Sequence, residues 1–349
     1  MADGGGWQRR AFIGSFTAAG GPGIVAAAVA PDTGALTLLG SLDGLSDPSY
    51  LALAPDGDTL YAVSETAEGT VAAYRVTGDR PEPVGRPVRV GGGPTHLGLY
   101  DGHVLTADYG SGSVTAVPLR PDGGLAGPAS GALRHTGAGP HTRRQQSPHA
   151  HQVQADPSGR WIVSVDLGTD SVRVCTLADG TPDLHREIAL RPGSGPRHLA
   201  FHPDGAHAYV VNELAPTVTV CRWDVSDGLL KPLTEVQVLA DAPAGDAYPS
   251  GIVVSPDGRF VWTATRGEDV LSTFAVDGDE LRLLATVPCG GHWPRAIAES
   301  GGYLYVANER SGDVTWFALD PETGLPRRGT AGSGPASVKV PAASCVVLG

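Results

Sequence analysis

The segment from Arg143 to His151 carries the strongest chemical signal in the sequence. It reads Arg-Arg-Gln-Gln-Ser-Pro-His-Ala-His, so His149 and His151 stand two residues apart. On an extended strand, residues at this spacing project to the same face. An imidazole takes up or releases a proton near neutral pH, and the pair therefore predicts acid–base chemistry. Metal binding is the weaker interpretation, because no third ligand stands at a recognisable spacing.

Arginines at two other points of the sequence indicate a bound anion. Arg197 and Arg295 each follow a proline directly. A guanidinium group matches the oxygens of a phosphate or a carboxylate bidentately. We therefore expect both arginines to bind an anionic substrate. For His149 a second role stays open, that of a hydrogen-bonded support within its strand.

These residues fall at matching points of a repeated unit. Seven segments open with similar residues at intervals of 45 to 56 positions, a period that is typical of β-propeller blades. Within each unit, apolar runs alternate with turns of the Pro-Asp-Gly type, which indicates antiparallel hairpins. The predicted fold is an all-β, seven-bladed β-propeller. The seven opening positions are Pro48, Pro94, Ala150, Pro196, Pro249, Pro294 and Pro341.

The last unit is divided between the two ends of the chain. It opens at Pro341 and stops at Gly349 after one strand, while three further strands are predicted at residues 12–15, 24–30 and 36–42. Strand 341–348 is therefore expected to close the ring, which removes an exposed sheet edge. Residues 1–349 are predicted to form a single propeller domain, with residues 1–10 as a flexible leader.

One mouth of the predicted channel collects most of the charged residues. The start of a blade's first strand and the end of its second strand lie at the same edge of the sheet. Converging titratable groups in a concave mouth predict an active site. Glu65 and Glu309 fit an ion-pair girdle between blades equally well. After the opening positions stand Ser49, Thr95, His151, Arg197, Ser250, Arg295 and Ala342, and at the ends of second strands stand Glu65, Asp166, Asn212, Glu213, Arg266 and Glu309.

Composition restricts the partners and the compartment. The formal net charge of -12 disfavours nucleic acid and anionic membrane surfaces as partners. No apolar run approaches the roughly 20 residues of a spanning helix, and no signal-peptide core follows Arg10. The sequence predicts a cytoplasmic protein, a monomer or a weak dimer, that acts on a small anionic molecule. The four cysteines are scattered, which predicts reduced thiols. His202 and His207 flank a turn at the opposite mouth and are given no role.

Several segments carry a family resemblance that covers nearly the whole chain. The sequence resembles the seven-bladed 6-phosphogluconolactonase family of lactonase propellers in Asp47-Pro-Ser-Tyr50, Pro148-His-Ala-His151, Gly195-Pro-Arg-His198, Val211-Asn-Glu213 and Pro294-Arg295. The resemblance implies a cytosolic hydrolase, without metal or cofactor, that opens a sugar δ-lactone in the oxidative pentose phosphate route. It also admits a carboxymuconate cyclase-like activity. Trp293 and Glu309 depart from the family's pattern, and Trp293 could reshape the pocket.

Chemistry and resemblance together assign expected roles. His151 is expected to be the general base, with Glu213 as the alternative. Asp166 is expected to orient His151, and His149 completes the catalytic group. Two other functions stay open, namely a lactonising or isomerising enzyme for a carboxylate substrate and a non-catalytic propeller that binds a ligand or a protein. The residues expected to bind substrate are Arg197, Arg295, His198, Arg144, Arg266 and Asn212.

Overall fold

The computed structural model describes residues 9–327 and 335–349. These residues form 29 β-strands and one turn of 3-10 helix at Thr17–Ala19. The strands make seven antiparallel sheets, each built from strands that follow one another along the chain except where the two termini meet. The predicted all-β, seven-bladed propeller is confirmed. No helix in the described ranges is long and apolar enough to cross a membrane.

The blades are numbered in chain order, and the strands of each are given from the channel outward. Blade one has β4 (Leu51–Leu53), β5 (Thr59–Ser64), β6 (Thr70–Arg75) and a divided outer strand, β7 (Glu82–Pro83) and β8 (Val88–Arg89). Blade two has β9 (Pro94–Tyr100), β10 (His103–Asp108), β11 (Ser113–Pro118) and β12 (Gly131–Arg134). Blade three has β13 (Ala150–Ala155), β14 (Ile162–Asp166), β15 (Ser171–Ala178) and β16 (Thr181–Ala189). Blade four has β17 (Pro196–Phe201), β18 (His207–Asn212), β19 (Thr217–Asp224) and β20 (Leu229–Gln237). Blade five has β21 (Tyr248–Val254), β22 (Phe260–Arg266), β23 (Val270–Asp277) and β24 (Glu280–Pro288). Blade six has β25 (Pro294–Ser300), β26 (Tyr303–Asn308), β27 (Asp313–Ala318) and β28 (Ala336–Lys339). Blade seven has β29 (Ala343–Leu348), β1 (Arg10–Ser15), β2 (Ile24–Val29) and β3 (Leu36–Leu42).

Both ends of the chain complete blade seven. Strand β29 pairs antiparallel with β1, so that Phe12 lies opposite Val347 and Ile13 lies opposite Val346. The predicted closure of the ring by the C-terminal strand is confirmed. Arg10 already belongs to β1, within the leader expected at residues 1–10. Residues 1–8 of that leader lie outside the described residues.

Apolar side chains fill the junctions between neighbouring blades. Each of the seven junctions holds one cluster of buried residues. Between blades seven and one, for example, Phe12 and Ile24 pack with Leu51 and Leu60. A blade therefore buries its two faces only against its two neighbours. This dependence explains why the repeat needs a closed ring.

A β-bulge marks the start of the innermost strand in several blades. At these points one residue is inserted where the innermost strand begins to pair with the second strand. An inserted residue bends the strand and re-aims its own side chain. In three of these blades the inserted residue is one of the histidine or arginine residues that the repeat predicts at the mouth of the channel. Within the described ranges, single inserted residues are Thr95, His151, Arg197, Arg295 and Ser344.

The bulge in blade seven corrects the predicted phase of that blade. The repeat opens it at Pro341 and places Ala342 at the mouth, but Ala343 pairs with Ser15 and Ser344 is the inserted residue. Ala342 has a φ of 51°, the left-handed conformation that Asp47 adopts directly before Pro48. The chain needs two residues more than the repeat predicts to turn into β29. Ser344 therefore takes the position that the repeat predicts for Ala342.

Candidate active site

Among the described residues, we group seven charged side chains and one histidine at the mouth where the innermost strands begin, and we call these eight the charged mouth. Three of them occupy bulges, and most of the others directly follow a second strand or end it. Four guanidinium groups face three carboxylates, so the charged mouth has a positive excess in a chain whose formal net charge is -12. The eight residues are Glu65, Arg144, His151, Arg197, Glu213, Arg266, Arg295 and Glu309.

Glu213 is the centre of one half of the charged mouth. Its Oε2 atom lies 2.8 Å from Arg266 Nη2 and 3.0 Å from Arg197 Nε, and its Oε1 atom accepts a hydrogen bond from Arg144. Burial alone would raise the pKa of Glu213, but Arg266, Arg197 and Arg144 together hold it well below its usual range. Glu213 is therefore a permanent carboxylate near pH 7. Glu213 holds the three guanidinium groups of Arg144, Arg197 and Arg266 together.

Arg197 is the most deeply placed of these arginines, with a side chain that is 3 % exposed. It donates from Nη1 to the carbonyl oxygen of Ser250 in the next blade. Its Nε–H is near Glu213 but is not directed at an acceptor in the described part of the chain. Burial and the charge of Arg266 lower the pKa of Arg197 to about 9, which leaves the guanidinium charged near neutral pH.

Arg295 forms the other half of the charged mouth. Its Nη2 atom lies 3.2 Å from Glu65 Oε2, and its Nη1 atom lies 3.4 Å from Glu309 Oε2. Its guanidinium carbon lies 4.8 Å from the ring centroid of Phe16. The Arg295–Glu65 pair connects blade six with blade one across blade seven, as the girdle interpretation expects, whereas the Arg295–Glu309 pair lies within blade six. Both pairs of Arg295 are longer than the ion pairs around Glu213. An entering anion can therefore displace Glu65 and Glu309 from Arg295 more readily.

His151 lies beside the arginines within an aromatic layer. Its ring centroid is 5.2 Å from that of His198 and 5.6 Å from that of Tyr109. Burial lowers the pKa of His151 well below its usual value, and Arg197 and Arg295 lower it further. The imidazole is therefore neutral near pH 7. Its Nδ1 atom has no hydrogen-bond partner within the described residues, a condition that calls for a bound water or substrate.

The aromatic layer continues across the channel through His198 to His96 and Tyr50. The ring of His96 lies 5.4 Å from that of His198 and 4.0 Å from that of Tyr50. Burial and Arg197 lower the pKa of His96 to about 3 and that of His198 well below its usual value, so both are neutral. Tyr50 and His96 also line a cavity of about 570 Å³ further along the channel. His198, an expected substrate ligand, is thus a buried part of the layer between the charged mouth and this cavity.

Asp166 does not orient His151, and this expectation was wrong. One carboxylate oxygen accepts hydrogen bonds from His135 Nδ1 at 2.6 Å and Arg173 at 3.1 Å, and the other accepts the backbone N–H of His149 at 2.9 Å. Burial would raise the pKa of Asp166, but His135 and Arg173 bring it below its usual value. As the last residue of β14, Asp166 faces into the blade because side chains alternate along a strand. No local motif points to His135, which lies 31 residues earlier in the sequence.

Asn212 is also directed away from the charged mouth, which contradicts its expected contact with substrate. It is fully buried, and its Nδ2 atom donates to the hydroxyls of Thr217 and Thr219 at 2.9 Å each. Asn308 makes the same kind of contacts in blade six. These residues tie the second strand to the third. Alternation along the chain then places the next residue, Glu213, in the mouth.

The loop between β12 and β13 carries Arg144 and His149, and it is an insertion that makes this interval the longest of the repeat. His149 stacks on Tyr109 with ring centroids 4.2 Å apart, and its Nδ1–H donates to the carbonyl oxygen of Tyr109 at 2.8 Å. These contacts favour the supporting role that the sequence predicts as an alternative for His149. Gln145 is fully buried and donates to the carbonyl oxygen of Leu167 at 2.8 Å, which anchors the insertion. From this anchored segment Arg144 reaches Glu213.

The sequence and the fold match one family throughout. Residues 10–348 match the family described as "Lactonase, 7-bladed beta-propeller". The chain belongs to this lactonase family. The expected resemblance is therefore confirmed, as is the expectation of an enzyme of the lactonase type at the level of the family.

Named relatives of this lactonase-family chain share almost its full length. It is 34 % identical to the 6-phosphogluconolactonase of Bacillus subtilis, over 90 % of this chain and 92 % of the relative. It superposes on the periplasmic gluconolactonase of Pseudomonas aeruginosa with a TM-score of 0.90 and 31 % identity, over 97 % and 98 % of the two chains. A putative 6-phosphogluconolactonase of Bacteroides fragilis gives a TM-score of 0.88 and 28 % identity, over 98 % of each chain.

Proposed function

We propose that this protein hydrolyses 6-phospho-D-glucono-1,5-lactone to 6-phosphogluconate, a step of the pentose phosphate pathway, in the cytoplasm. The observation that carries the proposal is the cluster of four arginines at the charged mouth, three of them gathered by Glu213. Such a cluster suits a substrate that carries a phosphate. The names of the relatives, 6-phosphogluconolactonase and gluconolactonase, support the opening of a sugar lactone.

We assign different tasks to the two bulge arginines. Arg295 holds the phosphate, because its present carboxylate partners lie at 3.2 to 3.4 Å and its side chain is 17 % exposed. Arg197 is deeper and lies beside His151, so it stabilises the negative charge that develops on the lactone carbonyl oxygen. Arg144 and Arg266 complete the positive field around the substrate. Glu213 holds these arginines in place.

His151 is the general base in this proposal. The neutral imidazole takes a proton from water while the water oxygen bonds to the lactone carbonyl carbon. The tetrahedral intermediate then collapses, the bond from that carbon to the ring oxygen breaks, and the imidazolium returns the proton to the ring oxygen. The products are a free hydroxyl group and a carboxylic acid, which ionises. Glu213 is the poorer base because three guanidinium groups stabilise its ionised form.

Substrate binding changes the basicity of His151 in a favourable direction. Burial is the first cause of its lowered pKa, and the charges of Arg197 and Arg295 are the next two. A phosphate that neutralises these arginines removes part of the depression. The bound substrate thus raises the pKa of His151 toward the value that general-base catalysis requires.

We expect the acid limb of kcat/KM to lie below pH 6.5. The substrate for this measurement is unphosphorylated gluconolactone, because it has no phosphate that titrates in the same range. The active form of His151 is the deprotonated imidazole, and a lowered pKa keeps it deprotonated as the pH falls through 6.5. With the phosphorylated lactone, the acid limb of kcat should lie at a higher pH, because the bound phosphate raises the pKa of His151. An acid limb of kcat/KM at or above pH 6.5 would contradict the assignment.

The substrate itself is tested by comparing the phosphorylated and unphosphorylated lactones in a pH-stat assay. The unaltered protein should prefer the phosphorylated lactone. Arg295→Gln should raise the KM of that lactone roughly 10- to 100-fold, since a charged hydrogen bond contributes about 1.5–3 kcal/mol. The KM of the unphosphorylated lactone should change little.

Arg259→Gln is the matched control, because Arg259 pairs with Asp257 in a turn at the other end of blade five. It should leave both KM values unchanged. An unaltered protein without preference for phosphate would contradict the proposed substrate. Turnover of carboxylate-bearing lactones alone would instead favour the carboxymuconate cyclase-like activity.

A further inference from the structure

Two histidines and two aspartates meet at the end of blades four and five that is opposite the charged mouth. His202, Asp204 and His207 surround the turn between β17 and β18, and Asp279 stands in the turn between β23 and β24. Asp204 lies between the two histidines, with Oδ1 3.0 Å from His202 Nδ1 and Oδ2 2.7 Å from His207 Nδ1. One ligand atom from each of these three residues lies within 4.8 Å of the others.

We propose that His202, Asp204 and His207 bind a divalent transition metal ion, with Zn²⁺ as the best match. Two imidazoles and one carboxylate suit Zn²⁺, which takes three protein ligands and a water where its coordination is left open. Bonds of about 2.0–2.2 Å in a tetrahedral site put neighbouring ligand atoms roughly 3.3 Å apart. The Asp204 oxygens already lie 3.0 and 2.7 Å from the two Nδ1 atoms, and one ligand atom from each of the three residues lies within 4.8 Å of the other two.

The partners of the outer ring nitrogens support this assignment independently of the spacing. His202 Nε2 lies 2.8 Å from the carbonyl oxygen of Gly258, so this nitrogen donates and leaves Nδ1 with a lone pair for the metal. His207 Nε2 lies 3.0 Å from Asp279 Oδ1. Ligating histidines usually donate their second N–H to a carbonyl or a carboxylate in this way. Arg222 holds Asp279 in turn, with its Nε 2.8 Å from Oδ1.

Turn formation explains only part of the cluster. Asp204 Oδ1 accepts the backbone N–H groups of Ala206 at 2.7 Å and His207 at 3.1 Å, an ordinary way to close such a turn. Neither bond uses Oδ2. The backbone N–H of Asp204 donates to His202 Nδ1 at 3.1 Å, and a metal ion would take over that lone pair. The corresponding turn of blade five has Ser255 in place of His202 and no second histidine.

The proposed site is structural and separate from the charged mouth. Strand β17 runs from Pro196 to Phe201 between the two, which is roughly 20 Å at about 3.3 Å per residue. Two contacts, from Gly258 and from Asp279, come from blade five, while the ligands belong to blade four. Because the ion binds the folded state, it should raise the melting temperature. Lactone turnover should not depend on it.

Calorimetric titration of the tag-free, chelator-treated chain with Zn²⁺ tests the proposal. One equivalent should bind, and Co²⁺ should give visible absorption bands of a site with nitrogen ligands. His202→Ala and His207→Ala should each weaken Zn²⁺ binding by at least about 100-fold, and Asp279→Ala by roughly 10- to 100-fold. Circular dichroism checks that each variant is folded, and His202→Gln with His207→Gln replaces any variant that is not.

His292→Ala is the matched control, since His292 forms a single pair with Asp269 at 2.8 Å and has an exposed side chain. It should bind Zn²⁺ as the unaltered chain does. Zn²⁺ binding that survives both histidine substitutions would overturn the proposal, as would a chain without saturable binding. A loss of lactone turnover on chelation would contradict the purely structural role.

Discussion

A His151→Asn variant should turn over its lactone about 10² to 10⁴ times more slowly than the unaltered protein, because that range is typical for the loss of one general base. Asparagine keeps a polar side chain near the inner arginine, Arg197, but cannot accept the proton of the attacking water. The loss should appear in kcat, since Arg197 and Arg295 still bind the substrate. Initial rates with fresh lactone, corrected for its spontaneous hydrolysis, provide the measurement.

His103→Gln is the control for this substitution. His103 begins β10, at the end of blade two away from the charged mouth, and its Nδ1 donates to the carbonyl oxygen of Asp101. It should retain full activity. If His151→Asn also keeps nearly full activity and melts normally, His151 is not the base and Glu213 becomes the candidate. The variant must melt like the unaltered chain for the comparison to hold.

Removal of residues 342–349 should leave a chain that aggregates or melts at least about 10 °C lower. The deletion removes the innermost strand of blade seven, where Cys345 and Val346 are 2 % and 5 % exposed. Each buried apolar side chain contributes roughly 1.5–3 kcal/mol, against about 5–15 kcal/mol for a whole domain. The deletion also leaves β1 as an unpaired edge that can associate with other chains. Size-exclusion chromatography and thermal melts followed by circular dichroism measure both effects.

The outer strand of the same blade supplies a control for the deletion. Leu38 lies in β3 and is 41 % exposed, so Leu38→Ser should leave the melting temperature almost unchanged. A truncated chain that stays monomeric and melts like the full chain would contradict the closure as a source of stability.

The architecture could be predicted from the sequence because its signals are local and repeated. Proline stands at six of the seven opening positions and Asp-Gly turns recur in most blades, and the incomplete unit that opens at Pro341 indicates closure by itself. The phase of blade seven could not be predicted in the same way. Ala342 adopts a left-handed conformation that its residue type does not favour, and only the pairing of Ala343 with Ser15 reveals the longer turn.

The site was predictable in its charged residues but not in their orientations. Position along the repeat brings Arg197, Arg295 and Glu213 to one mouth, where the structure also has them. A shift of one residue along a strand decides whether a side chain faces the mouth or the interior of the blade. Asp166 and Asn212 therefore lie one position from the mouth and face into their blades.

The bulges at the inner strands have a consequence for how such a protein acquires new ligands. A residue inserted into a ladder has no partner across the sheet, so its replacement leaves the register of every neighbouring pair unchanged. Thr95 and Ser344 occupy the same kind of position as His151, Arg197 and Arg295. Ligand selectivity can therefore change through single substitutions in individual blades, while the strand pairing of the propeller stays the same.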